Sequence, residues 1–251
     1  MPSFVSTTIA LLSEAGVDIG GLGLAWARVI PAVTLVPAFG LRALPPPARA
    51  VMALAFAATV FPALAPHSHD VARPWVVVAA AEFVRGLPIA VAASVPLWAA
   101  TMAGGVADVL RGAPQETQGL PTIDGRATTL GVPMSLLACA LFLARGGPAR
   151  VVRALAVDPP MTHPVLRVAD DLVAGITLAV ALGAPLLAAA IVVEVAAALV
   201  ARAASPAPVH ALLSPLRAVA TLAIFGVVIE RVAAVLARAQ QFTDGSNRPF
   251  H

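Results

Sequence analysis

An all-α fold of hydrophobic, proline-broken helices of the multi-pass membrane type is what this sequence predicts. Three observations predict it. First, 59% of the 251 residues are hydrophobic, only 12% are charged, and the mean hydropathy is +0.90. Counting the 18 glycines, about two thirds of the chain is apolar, against roughly 45–50% in a soluble domain with about 25% charge. An ordinary soluble domain is excluded, and so is disorder, which needs polarity and net charge to keep a chain solvated. Second, the apolar residues fall into six runs, at about 22–40, 48–64, 74–101, 127–144, 172–201 and 211–236, each bounded by Pro, Gly or charge. At ~20 residues per ~30 Å of hydrocarbon, these runs fill most of the length and leave no room for a separate soluble domain. Residues 1–236 therefore read as one helical domain, followed by a polar, flexible tail over 237–251.

Third, the runs contain groups that lipid tolerates poorly. There are 23 prolines, and Pro31, Pro37, Pro62, Pro88, Pro96, Pro133, Pro185 and Pro215 lie in or beside apolar runs. An interior proline frees a carbonyl, costs ~3 kcal/mol in an isolated helix, and in a bilayer needs protein or cavity water as its replacement partner. Such a chain expects to be surrounded by protein.

Taken in order, the first run, 22–40, holds Arg28 and ends in Pro37 to Gly40, and the second, 48–64, follows the triplet Pro45-Pro46-Pro47. The third, 74–101, exceeds one crossing and carries Pro88 and Pro96, so a tilted, kinked or split helix is expected; the fifth, 172–201, is similar with Pro185. Glu82 and Arg85 lie three apart on one face of the third run. An ionisable group at bilayer centre costs ~2.5–3.5 kcal/mol and pairs or faces water, so a self-neutralising pair that fixes packing is the first reading of these two. Arg28, Glu82, Arg85, Asp108 and Glu194 form the set of candidate intramembrane polar contacts. Asp170-Asp171 read as acids favoured by the dipole at the N-terminus of the fifth run. Glu230 and Arg231 read as the end of the sixth, snorkelling into the interface.

All 16 basic residues are Arg and the net charge is +3. They are spread singly between runs rather than clustered on one face, which argues against nucleic acid. Arg73, Arg145, Arg150, Arg153, Arg167, Arg238 and Arg248 fall in one set of loops and Arg42, Arg49, Arg111, Arg126, Arg202 and Arg217 in the other. That near balance gives no orientation by the positive-inside rule. Met1-Pro2-Ser3-Phe4 lacks the charged start of a cleaved signal, and the single Cys139 permits no internal disulfide. No nucleotide, zinc-protease or acyl-transfer motif is present. His67-Ser68-His69-Asp70 has no further ligand nearby and reads as a solvated turn. No enzyme, cofactor or metal is expected.

Four blocks carry a family resemblance. They are Ala27-Arg28-Val29-Ile30-Pro31-Ala32-Val33 with Pro37-Ala38-Phe39-Gly40 and Leu44 to Arg49; Ala103-Gly104-Gly105-Val106-Ala107-Asp108-Val109-Leu110-Arg111-Gly112-Ala113; Leu141-Phe142-Leu143-Ala144-Arg145-Gly146-Gly147; and Ala201 to Pro206 through Leu213-Ser214-Pro215-Leu216-Arg217. In order and spacing they resemble the FliR/SctT family of type III secretion export-gate proteins over about 22–236. The Pro- and polar-rich stretch 114–126 and Ser205 before Pro206 depart from that pattern.

The resemblance implies the T subunit of an export gate in the bacterial inner membrane, its helices folded as helical hairpins that form part of a helical hetero-oligomeric assembly within a secretion basal body. One copy would join R and S subunits (FliP/FliQ-like), beside a U switch protein (FlhB-like) and a V export ring (FlhA-like), with unfolded secreted proteins passing through. It also places a pore-plugging loop after the third run, at Arg111, Gly112, Pro114, Gly119, Pro121 and Gly125, with Asp108 anchoring its base through Arg111 or partner subunits. The Asp-x-x-Arg-Gly-Ala order looks more like the injectisome members than the flagellar ones. The competing reading is a secondary transporter with Glu82, Arg85 and Glu194 at a midplane site, for which the halves of the chain lack a convincing internal repeat.

Overall fold

The computed structural model describes residues 14, 18–39, 45–64, 74–110, 116–117, 127–128, 130–157, 163–203 and 210–239. Helix α1 spans Ile19–Leu35 and starts where Asp18 Oδ1 accepts the Gly21 N–H at 3.0 Å. It ends before Pro37, which opens the 3-10 turn Pro37–Phe39. Helix α2, Pro46–Leu64, starts on prolines whose missing N–H groups cost nothing in a first turn. Helix α3 is Trp75–Leu110. The two-residue strands Glu116–Thr117 (β1) and Ala127–Thr128 (β2) follow, then α4 at Gly131–Ala144 and α5 at Gly147–Ala156. Helices α6, Pro164–Ala203, and α7, His210–Ala239, complete the order.

Helix α3 is the spine, packing on α6, α1 and α4. It runs parallel to α1: Trp75 lies over Gly20 and Gly23 at one end, and Glu82 and Gly86 meet Arg28 further along. Helix α2 returns antiparallel, since Phe61 near its end sits against Gly21 near the start of α1. The core is built of small side chains, among them Ala25, Ala32, Ala57, Ala93 and Ala100, with Leu97, Met134 and Leu236 filling between them. Small residues let backbones approach closely, as packing between apolar helices requires.

Several expectations change. The third and fifth runs are not split: α3 is one helix of 36 residues and α6 one of 40, with their prolines inside. Helix α6 begins at Pro164 with no acid in its first turn, so Asp170 and Asp171 sit in the second turn, beyond the strongest part of the dipole. Chain 145–171, read as a loop, contains α5, bent 65° from α4. The bend is made by Gly146, whose φ of 68° lies in the left-handed region that ends helices. Residues 127–128, placed in the fourth run, pair as strand instead, Glu116 opposite Thr128 and Thr117 opposite Ala127. Glu230 and Arg231 are exposed but lie about two turns before the end of α7 at Ala239.

Among the described residues, α2, α3 and α6 are long and apolar enough to cross a membrane, and α4 with α5 makes a fourth such span if the bent pair is one. Helix α1 is apolar but has only 17 residues. Helix α7 has an apolar stretch from Ala218 to Ile229, between Arg217 and Glu230.

Candidate functional site

Two polar constellations stand out in this apolar frame. The first joins α1, α3 and α5. The buried face of α1, including Leu24, Ala25, Arg28, Val29, Ala32 and Val33, repeats at helical spacing and so brings Arg28 inward. Opposite it, Gly86 removes the one obstacle to contact: a Cβ there would stand 2.0 Å from the Arg28 carbonyl oxygen. Glu82, one turn before Gly86, then lies within reach. Arg28 Nε donates to Glu82 Oε2 at 2.6 Å, and Arg85 Nη1 donates to Glu82 Oε1 at 2.7 Å. Arg28 is 2% exposed and Glu82 9%. Arg28 Nη1 also donates to the Leu155 carbonyl at 3.1 Å, which belongs to the last turn of α5 and has no intrahelical N–H to accept. A guanidinium there meets the negative end of the helix dipole.

The second constellation lies at the other end of α3. Asp108 is fully buried, and its Oδ2 accepts the backbone N–H of Leu130, the residue that caps α4. Thr128 Oγ1 accepts the next N–H, that of Gly131, at 3.1 Å. Gly104, one turn before Asp108, allows the two chains to touch: a Cβ there would lie 2.6 Å from both the Leu130 oxygen and the Gly131 Cα. The last turns of α3 and the first turn of α4 are thus joined at backbone distance.

A third tie closes the bundle at the α4–α5 corner, where Arg145 Nη1 donates at 3.1 Å to the Ala237 carbonyl in the last turn of α7. Gly147 lies under the Phe142 ring, so close that a Cβ would stand 2.6 Å from the ring carbons.

Of the candidate polar contacts, the fold brings together Arg28, Glu82 and Arg85. Asp108 is remote from them along α3, and Glu194 lies on the exposed side of α6. Both Glu82 oxygens are engaged by arginines, which argues against a solute path through Glu82 and Arg85. The loop residues Arg111, Gly112, Pro114, Gly119, Pro121 and Gly125 lie outside the described residues, as do the His67 to Asp70 turn and the tail from 240. Among the described residues no three metal-ligating side chains converge. Sequence reading passed over three partners: the Leu155 carbonyl, the Leu130 N–H and Gly86. The first two are backbone groups without a residue-type signature, and the third is one glycine among many.

The comparisons bear on this frame directly. Residues 19–242 match the model of the family described as bacterial export proteins, family 1. The chain belongs to this family. It is the FliR/SctT family, and the match takes in every element from α1 to α7. A curated relative is SsaT, a secretion system apparatus protein of Salmonella typhimurium strain LT2, 36% identical over 73 residues. That stretch covers 29% of this chain and 28% of the relative's own length.

Proposed function

We propose that the chain is a structural and gating subunit of the inner-membrane export gate of a type III secretion system, helping to form the channel that unfolded substrates traverse. Family membership over 19–242 supports a place in bacterial export, and the likeness to an SsaT segment supports the type III apparatus, favouring the injectisome branch. A single copy would assemble with R and S subunits, the U switch protein and the V ring. Its role is to shape and close a passage, with no chemistry to perform.

The observation that carries the gating role is the closed root at Asp108, Leu130 and Gly104. It presents the polar, Pro- and Gly-punctuated stretch 111–126 from one point between two apolar helices. A stretch rooted at one point can occlude a channel and be pushed aside without unravelling the helices on either side. Arg111, Gly112, Pro114, Gly119, Pro121 and Gly125 are its candidate residues. Deleting Gln115 to Thr122 is expected to make membranes that contain the assembled complex leaky to small ions, read as dye or conductance leak. Unchanged permeability with normal assembly would overturn the gating role.

A further inference from the structure

Two helices of this fold carry the same triplet, a glycine followed two residues later by proline: Gly86-Leu87-Pro88 in α3 and Gly183-Ala184-Pro185 in α6. A proline inside a helix offers no N–H to the carbonyl four residues before it, and its ring presses on that carbonyl. The carbonyls concerned are those of Val84 and Ala181. Relief of the clash opens the helix on the proline side, so the bend closes toward the opposite side. At about 3.6 residues per turn, a residue two positions earlier lies about 200° round the axis. Each glycine therefore sits on the side that a bend would close.

What fills that side differs between the two helices. In α3 it is taken by backbone: a Cβ on Gly86 would collide with the Arg28 carbonyl oxygen, so α1 blocks the bend. In α6 Gly183 is buried, yet a Cβ there would meet nothing within 4 Å. The same weak point is locked in one helix and open in the other. In α6 it is also central, leaving arms of about 27 Å on either side at ~1.5 Å per residue. The near arm is held to α3, where a Cβ on Gly175 would stand 2.8 Å from Val95. On the far arm the buried residues beyond Leu186 are Ala190 and Ala197, small side chains that grip a neighbour lightly. A bend of about 20° would carry the tip of that arm about 9 Å.

We propose that Gly183-Ala184-Pro185 is a pivot, and that the far arm of α6 swings about it toward the open side of Gly183 when a substrate occupies the channel. This rests on the export function proposed above and gives it a moving part among the helices. The test uses the full chain in its assembled complex. In a Cys139→Ala background, spin labels are attached at exposed positions through Met102→Cys on α3 with Leu199→Cys on the far arm, or with Ile176→Cys on the near arm. Distances are read at rest and with a co-purified secreted protein arrested by a tightly folded domain fused to its end. The 102–199 distance is expected to shift by several ångströms and the 102–176 distance to hold. Both unchanged, or both shifting together as α6 slides whole, overturns the pivot.

Stiffening supplies the second arm. Gly183→Ala fills the open side and is expected to lower secretion several-fold and suppress the label shift, while raising the thermal midpoint. A merely structural glycine would give the higher midpoint with secretion unchanged. Gly226→Ala in α7, where a Cβ also meets nothing within 4 Å, controls for added helix stability and is expected to secrete like the parent. Assembled Gly183→Ala complexes that secrete like the parent overturn the proposal. If that variant does not assemble, the label distances in the parent decide alone. Failure of the gating function shows separately, as absence of leak in the 115–122 deletion, and leaves the label shift to be read on its own.

Discussion

Arg28 and Glu82 stand 54 residues apart in the chain and 2.6 Å apart in the fold. Two charges taken out of water recover their desolvation cost only with good geometry and further hydrogen bonds, and this pair has both, through Arg85 and the Leu155 carbonyl. Removing one member of a buried pair leaves the other uncompensated, at a cost of about 3–5 kcal/mol, while replacing both with apolar side chains is often nearly neutral. Arg28→Met or Glu82→Leu alone is therefore expected to lower the thermal midpoint of the detergent-solubilised protein strongly. The double variant should recover most of that loss, since Arg85, with 48% of its side chain exposed, can turn outward. Additive losses in the double variant would show that the two side chains act independently. The Glu82 and Arg85 contact was legible from their i, i+3 spacing. The choice of Arg28 as the third member was not, because which of sixteen arginines faces α3 is decided by the backbone approach at Gly86.

At the scale of elements, hydropathy made the long apolar helices legible and misplaced their ends. Proline suggested breaks in α3 and α6, yet tertiary packing along the spine keeps both continuous. Helix α5 is hidden in the sequence because it is short, basic and opens at Gly146-Gly147, which reads as a turn. Its signal is the apolar series Gly147, Val151 and Leu155 on one face, behind Pro148 near the start. Glycines in α6 separate two kinds of helical position that sequence cannot tell apart. At Gly175 a Cβ would stand 2.8 Å from Val95 Cγ1 on α3, whereas at buried Gly183 it would meet nothing within 4 Å. Gly→Ala in a helix gains roughly 0.5–1 kcal/mol where space allows. Gly183→Ala is accordingly expected to raise the thermal midpoint, and Gly175→Ala to lower it by wedging α6 from α3. A shift of the same sign for both would mean that propensity, not the contact with α3, governs this helix.

For the whole molecule, the decisive quantity is how much apolar surface the chain leaves uncovered. Only 22% of the most apolar window of α2 and of α6 is buried within the chain, and 33% for α3. Lipid covers some of the rest but not all of it. Helix α6, with 40 residues, is about 60 Å long at ~1.5 Å per residue. A ~30 Å hydrocarbon layer covers at most about 39 Å of a helix tilted by ~40°. The ends are mixed: near one, Val165 and Leu166 are 69% and 61% exposed beside Arg167, Asp170 and Asp171, and near the other Leu199 and Val200 are 63% and 53% exposed beside Arg202. Apolar side chains exposed beyond the hydrocarbon are what a partner in a helical assembly would cover. Purification in mild detergent followed by native mass measurement is expected to recover this 25.3 kDa chain as one copy within a larger complex of small apolar helical proteins. Brief exposure to a harsher detergent should release it as a species that aggregates, with those α6 ends becoming accessible to proteolysis. A stable monomer or homodimer in mild detergent, with both ends of α6 already protected, would place the covering surface within the chain's own kind and remove the argument for a hetero-oligomeric gate.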